Sequence, residues 1–232
     1  MDSPKKCKVP PRRFHPKGLA ILHEDRDIVV VDKVHGLLTM ANEKTREHTA
    51  YYLLNEYVRR ANHKSRSRVF IVHRLDRDTS GVLVFAKNEH TKRILQDEWH
   101  GFKKKYIAVV QGNLQRKQGI MASYLIENSV YKMVVSDNPR KGKLAKTGYK
   151  VLRESKNYSL IEIDLFTGRK NQIRVHFAEE GHPVCGDKKY GTGEKGIKRL
   201  TLHSSSLTIN HPHTKEQMTF EAKVPDYFYT LV

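Results

Sequence analysis

The sequence predicts an α+β fold, a mixed and mainly antiparallel sheet with flanking helices, and three observations carry that expectation. Short β-branched runs, IVVVD at 28–32 and VLVFA at 82–86, read as buried strands. Further on, Ile161, Ile163 and Leu165 alternate with Glu162 and Asp164, the period of a strand with one wet face, which favours antiparallel pairing. Between 46 and 61, Ala50, Leu53, Leu54, Tyr57, Val58 and Ala61 recur at helical spacing and give one apolar face.

The elements follow in order. A basic, Pro-rich tail occupies 1–18, and the strand at 28–32 leads into a His35-Gly36-Leu37-Leu38 turn. After the helix at 46–61, strands at 69–72 and 82–86 flank HRLDRDTSG, whose Asp, Thr, Ser and Gly are turn formers, so 73–81 is expected as an ordered loop. A helix at 89–100 and a strand at 105–111, closed by Gly112-Asn113, complete a second mixed segment. Strands are expected at 122–126, 130–135, 147–152 and 159–166, then a short helix at 171–180 stopped by Gly181, and closing strands at 200–209 and 217–222. There is no internal repeat and no long Gly/Ser linker, so 19–232 is read as one catalytic domain with two lobes at most.

Composition narrows the class. A chain of 232 residues, 38% hydrophobic and 29% charged, is long enough for a proper core and reads as soluble and globular. Its longest apolar runs fall far short of the roughly 20 residues of a membrane span, and the tail has no apolar stretch behind its charges, so no membrane and a cytoplasmic location are expected. Cys7 and Cys185, far apart and without paired spacing, suggest neither a disulfide framework nor a zinc ribbon. The charge is the strongest compositional fact: 43 Lys and Arg against 25 Asp and Glu give +18, dispersed in clusters at 5–17, 59–68, 103–105 and 140–146. Any one such run is ordinarily solvated surface, but several with so little acidic compensation point to a nucleic acid partner.

Within HRLDRDTSG, Arg74, Asp76, Arg77 and Asp78 place two carboxylates and two guanidiniums in five residues. A turn in which Asp78 or Ser80 bonds local amides explains part of this, and a reactive site explains it equally well. A carboxylate between Arg74 and Arg77 is expected to stay ionised, as a nucleophile or an electrostatic stabiliser must. The thirteen histidines prompt a metal-dependent hydrolase as a rival, but His176, Glu179, Glu180 and His182 fit neither H-E-x-x-H nor H-x-x-E-H, and His211-Pro212-His213 reads as a polar turn. No metal is expected.

Five segments resemble the RluA class of pseudouridine synthases: IVVVDKVHGLLTM from Ile28, HRLDRDTSG from His73, KKKYIAVVQG from Lys103, LFTGRKNQIRVHFAEEGHPVCGDKKYG from Leu165 and LTLHSSSLTINHP from Leu200. They occur in family order and span nearly the whole chain from Ile28. The resemblance implies a pseudouridine synthase fold with a central RNA-binding cleft and isomerisation of uridine to pseudouridine without metal or cofactor. It makes Asp76 the nucleophile, Tyr106 the residue that stacks on the flipped base and helps remove the carbon 5 proton, and Arg174 the arginine paired with the catalytic aspartate. Arg74 would fill the vacated base stack, and His73, Arg77, Lys104 and Arg169 would contact RNA, with Thr167-Gly168-Arg169 and Gly186-Asp187 shaping the cleft and touching phosphate. The chain departs from the family pattern at Val34, just after Met40, at Lys170-Asn171 and at Ser204. With its first family strand at Ile28, it reads as a compact member without an S4-type module, monomeric, acting on large-subunit ribosomal RNA, transfer RNA or both. The alternative is a non-catalytic ribosome assembly factor of the same fold.

Overall fold

The computed structural model describes residues 10–41, 45–60, 62, 65–193 and 196–232. The first nine tail residues with Cys7, part of the basic clusters at 5–17 and 59–68, and the expected helix end at Ala61 lie outside the described residues. In chain order the strands are β1 (Leu19–Glu24), β2 (Ile28–Lys33), β3 (Phe70–Ile71), β4 (Ser80–Ala86), β5 (Lys103–Gln111), β6 (Gln118–Glu127), β7 (Met133–Ser136), β8 (Lys143–Glu154), β9 (Tyr158–Leu165), β10 (Leu202–Asn210) and β11 (Gln217–Glu221). The helices are α1 (Ala50–Arg59), α2 (Glu89–Asp97) and α3 (Gln172–Glu179). The expected α+β class is the one observed, and no helix among the described residues is long and apolar enough to cross a membrane.

Two compact units make up the chain: the described residues up to Phe102 with Ser204–Lys223, and Lys103–His203 with Val224–Val232. In the first unit the strand order is β1-β2-β4-β10, with β3 on β4 and β11 on β10. β4 is buried along its whole length, and Val82, Val84 and Ala86 pack with Ile28, Val30, Leu95, Leu207, Ile209 and Phe220. In the second unit the order is β5-β9-β8-β6-β7, every pair antiparallel. Its α3 packs Val175 against Leu125, Met133 and Ala145, while Ile107, Val109 and Leu160 pack with Cys185 and Phe228.

Several boundaries differ from the sequence expectation for identifiable reasons. α1 begins at Ala50 rather than at 46 because the Thr49 hydroxyl accepts the Tyr52 N–H at 3.1 Å and caps the helix there. α2 ends at Asp97, and a separate 3-10 turn, Trp99–Gly101, follows. β7 starts only at Met133, since the Asn128 side chain accepts the N–H groups of Val130 and Lys132 and Tyr131 takes a left-handed conformation (φ 57°), making a turn of those residues. β1, short and lying directly after the Pro-rich tail, was not anticipated.

A carboxylate hub ties the first unit together. Asp25 accepts the backbone N–H groups of Asp27 (2.7 Å) and Ile28 (2.8 Å) on Oδ1, and His23 Nε2 (2.7 Å) and His211 Nε2 (3.1 Å) on Oδ2. Asp25, Asp27 and His211 lie close enough to share a metal ion, but the hydrogen bonds decide otherwise. His211 Nδ1 accepts the N–H groups of His213 and Thr214, so the imidazole proton sits on Nε2 and points at Asp25. A metal at Nε2 would force that proton onto Nδ1, against two donors. The stretch expected as a polar turn thus buries its first histidine as a structural tie.

Burial alone would raise the Asp25 pKa; the bonds from His23, Ile28 and Asp27 outweigh it and pull it down to about 2. Such a group stabilises the fold above the unfolded carboxyl value and loses that contribution as pH falls through its folded value. Asp25→Asn sets an amide NH₂ against the imidazole donors and is expected to cost about 2 kcal/mol at neutral pH. Denaturation at several pH values checks this: the gap to wild type should close towards pH ~2, and a gap independent of pH would rule the hub out as a charge effect.

Candidate active site

In the first unit, the candidate site is the loop between β3 and β4, and the chain's own polar groups hold it. β3 pairs with β4 through Phe70↔Ala86 and Ile71↔Phe85, and there the ladder stops. The next inward N–H, that of Val84, is accepted by His73 Nε2 at 3.2 Å, so the imidazole replaces a backbone carbonyl and the loop peels away. Gln96 of α2 donates to the carbonyls of Ile71 and Val72, and His73 stacks on Trp99 at 4.2 Å between centroids.

Beyond His73 the backbone around Asp76 is clamped on both sides. The buried Thr39 hydroxyl donates to the Leu75 carbonyl (2.8 Å) and accepts the Leu75 N–H (3.2 Å). The Arg77 carbonyl accepts from Gly36 N–H (2.9 Å) and Lys33 Nζ (3.1 Å), and the Asp78 carbonyl meets His35 Nδ1 at 2.7 Å. Thr79 N–H closes the turn on the Asp76 carbonyl at 3.2 Å. Lys33 is fully buried and also donates to the carbonyls of Val34 and Leu37, so one ammonium knits the turn after β2 to the loop. Asp76 is left half-buried on a backbone with little freedom.

Arg74 and Arg77 flank it in the chain. Both are exposed; Arg77 forms a fork on Asp78, at 3.1 and 3.3 Å, and Arg74 lies with Nη1 3.3 Å from Met40 Sδ. Sequence reasoning missed Lys33 and Thr39. The signal for Lys33 was present: it shares the strand parity of Val29 and Val31, both fully buried, where a lysine needs a purpose.

In the second unit, Tyr106 sits on β5 opposite Ile163 and is buried. Lys104, two residues earlier on the same strand face, is also buried, and desolvation pushes its ammonium pKa down to about 8. Lys105 points the other way and pairs with Glu162 at 2.7 Å. Arg174 on α3 presents Nε and Nη2 to the two oxygens of Asp187, at 2.7 and 2.8 Å, and its guanidinium lies 5.2 Å from the Tyr190 ring centroid. The Asp187 side chain is 0% exposed. Burial acts to raise its pKa, but Arg174 and the N–H groups of Lys189 and Tyr190 hold it below the usual carboxylate range. Asp187, expected to help shape the cleft and touch phosphate, is a carboxylate that orients Arg174 by one edge.

The turn before α3 is organised by Gln172, whose Oε1 accepts from Thr167 Oγ1 (2.7 Å) and Arg169 N–H (3.0 Å) while its Nε2 donates to Thr147 Oγ1 (2.9 Å) and the Lys146 carbonyl (3.1 Å). Arg169 itself donates from Nε to the Leu144 carbonyl at 3.0 Å. At the family departure, Lys170 ion-pairs with Glu127, and Asn171 takes a left-handed conformation at the start of α3. His176, half of the metal spacing considered above, lies between the Ser123 and Thr147 hydroxyls, each 2.9 Å away, and burial lowers its pKa to about 4. His182 meets the Gln111 carbonyl.

Comparison with known proteins agrees with this arrangement of motifs. The family described as RNA pseudouridylate synthase matches residues 27–179. An uncharacterized RNA pseudouridine synthase of Bacillus subtilis, YhcT, is 37% identical over 89% of this chain and 69% of its own. Ribosomal large subunit pseudouridine synthase D of Borreliella burgdorferi is 34% identical over 83% of this chain and 61% of its own. Among solved structures, human RNA pseudouridylate synthase domain containing 4 superposes with a TM-score of 0.74 at 24% identity, covering 90% of both chains, and so shares the fold. The chain belongs to the RNA pseudouridine synthases, a family of isomerases. Within that family it falls in the RluA class.

Proposed function

We propose that this chain converts specific uridines of structured RNA into pseudouridine with Asp76 as the nucleophile, needing no metal or cofactor, and that large-subunit ribosomal RNA is the substrate to test first, ahead of transfer RNA. The observation that carries this most directly is the clamp on Leu75, Arg77 and Asp78, which fixes a half-buried carboxylate at the tip of a loop. A reaction that detaches a base, turns it and rejoins it needs a nucleophile that does not move with the base. The ribosomal choice rests on relatives named ribosomal large subunit pseudouridine synthase.

Turning a base requires pulling it from its stack at a cost of a few kcal/mol. Arg74, exposed and two residues from Asp76, has the planar group to fill the gap. Tyr106 stacks on the flipped uracil and assists removal of its carbon 5 proton, and Arg174, oriented by Asp187, completes the catalytic set. Arg77, Arg169 and Lys104 bind RNA through phosphate, while His73 contributes by holding the loop to β4 and Trp99. The enzyme works as a cytoplasmic monomer.

Tritium release from RNA labelled at uracil carbon 5 tests this, with ribosomal and transfer RNA transcripts compared for wild type and Asp76→Asn. Release by wild type alone, greater from the ribosomal transcript, is the expected result. Tight binding with no release from either RNA would favour the assembly-factor reading instead.

A further inference from the structure

The sheet of the second unit carries α3 on one face only. Ser123 and Thr147 meet His176 there, and the Tyr149 ring meets Phe177 at 5.6 Å. Strand alternation turns Ile120, Leu144, Lys146 and Lys150 to the opposite face, with Ile120 paired to Gly148 and Lys150 to Gln118. Phe166, just past β9, joins them: its ring lies over Gly148, where an added Cβ would come within 3.0 Å of it, and the Lys146 ammonium stands 5.3 Å from its centroid. Ile120 is 60% exposed, Leu144 46% and Phe166 45%, so this face is open.

Its charge is unbalanced. The acidic groups on the same face, Glu162 and Asp164, both lie on Lys105, at 2.7 and 3.9 Å. Among the described residues, Lys146 and Lys150 have no carboxylate within ion-pair distance. An apolar face seated on a second copy of itself would bring these lysines against their own counterparts. A polyanion with flat apolar faces suits them better: bases offer a ring to Phe166, and phosphates offer charge to the ammoniums.

We propose that this face is a docking platform for unpaired RNA, a single-stranded or looped stretch of the substrate other than the target nucleotide, with a base on Phe166 and phosphates at Lys146 and Lys150. The inference rests on the RNA-modifying function proposed above, which accounts for why such RNA is present. None of its residues belongs to the catalytic set, so the platform acts on affinity and leaves the chemical step alone.

Fluorescence anisotropy with a mixed-sequence single-stranded RNA oligonucleotide tests it, alongside tritium release measured across a range of ribosomal transcript concentrations up to saturation. Phe166→Ala is expected to weaken binding about 5- to 10-fold, and Phe166→Leu, which keeps the cover on Gly148, should weaken it similarly. Lys146→Gln with Lys150→Gln should lower the slope of log affinity on log salt by about 1.4, at about 0.7 per phosphate of a single strand. KM should rise with kcat unchanged in each. Unchanged affinity and salt slope in all variants would overturn the platform, as would a lost self-association with RNA binding intact. A wild-type protein that binds RNA but releases no tritium would remove the isomerase reading, and the anisotropy comparison would still decide the platform.

Discussion

Gly81→Ala is expected to prevent the first unit from folding. Gly81 sits at φ +111°, and a Cβ built there would stand 2.1 Å from the Ser204 carbonyl oxygen and 2.6 Å from the Ser204 nitrogen. Both are backbone atoms, so no rotamer change relieves the contact, and β4 would have to move away from β10 in the most buried part of that unit. The conformational strain alone is about 1 to 3 kcal/mol, and the overlap adds to it against a total stability of about 5 to 15 kcal/mol. Soluble yield and a circular dichroism melt read the result. Gly36→Ala is the control: Gly36 also has positive φ, 85°, but nothing lies within 4 Å of the added atom. It should cost only about 1 kcal/mol of backbone strain. A Gly81→Ala protein that melts within a few degrees of wild type would show that β4 and β10 can separate more easily than their packing implies.

Arg174→Ala is expected to lower stability by about 3 to 5 kcal/mol and to lower turnover with it. The sequence motivates this substitution through an aspartate partner at Asp76; the structure supplies a further reason, because Asp187 is wholly buried and loses the fork that compensates its charge. The pH dependence has a definite sign. In wild type the lowered Asp187 pKa stabilises the fold at neutral pH, and that contribution is lost as acid protonates the carboxyl. In the variant the Lys189 and Tyr190 N–H groups remain but the guanidinium no longer opposes burial, so the pKa rises, protonation relieves the stranded charge, and the difference should shrink as pH falls. Arg174→Lys, which cannot form the fork, should fall between the two. Denaturant titration at neutral and acid pH, paired with tritium release, separates the outcomes; wild-type stability in Arg174→Ala would remove the ion pair from the account of this site.

Much of the fold was legible because strands here alternate clearly and turns carry Gly, Asn and Asp. Ile161, Ile163 and Leu165 announced β9, and the β-branched 82–86 run announced β4. The loop at 73–81 was legible as a loop and as a candidate site, since its charge density suits no strand interior. Its anchoring was not. Nothing local to Thr39 or Lys33 shows that each reaches the loop some forty residues on, because those bonds exist only once β2 lies beside β4.

By itself the sequence determined the α+β class, the net positive charge and the family, and it singled out the residues proposed to bear the chemistry, because each is written in local pattern, charge count or contiguous motif. Tertiary structure alone decided what those residues touch. It placed Asp187 on Arg174, Asp78 on Arg77, the His73 ring on a strand amide, and His211 on an Asp25 that lies 186 residues away. It also left one sheet face of the second unit open, with Lys146 beside Phe166 and Lys150 further along the same strand face. The physical reason is common to all: hydrogen bonds, ion pairs and burial depend on distance in space, and only the folded sheet brings distant stretches of chain within those few ångströms.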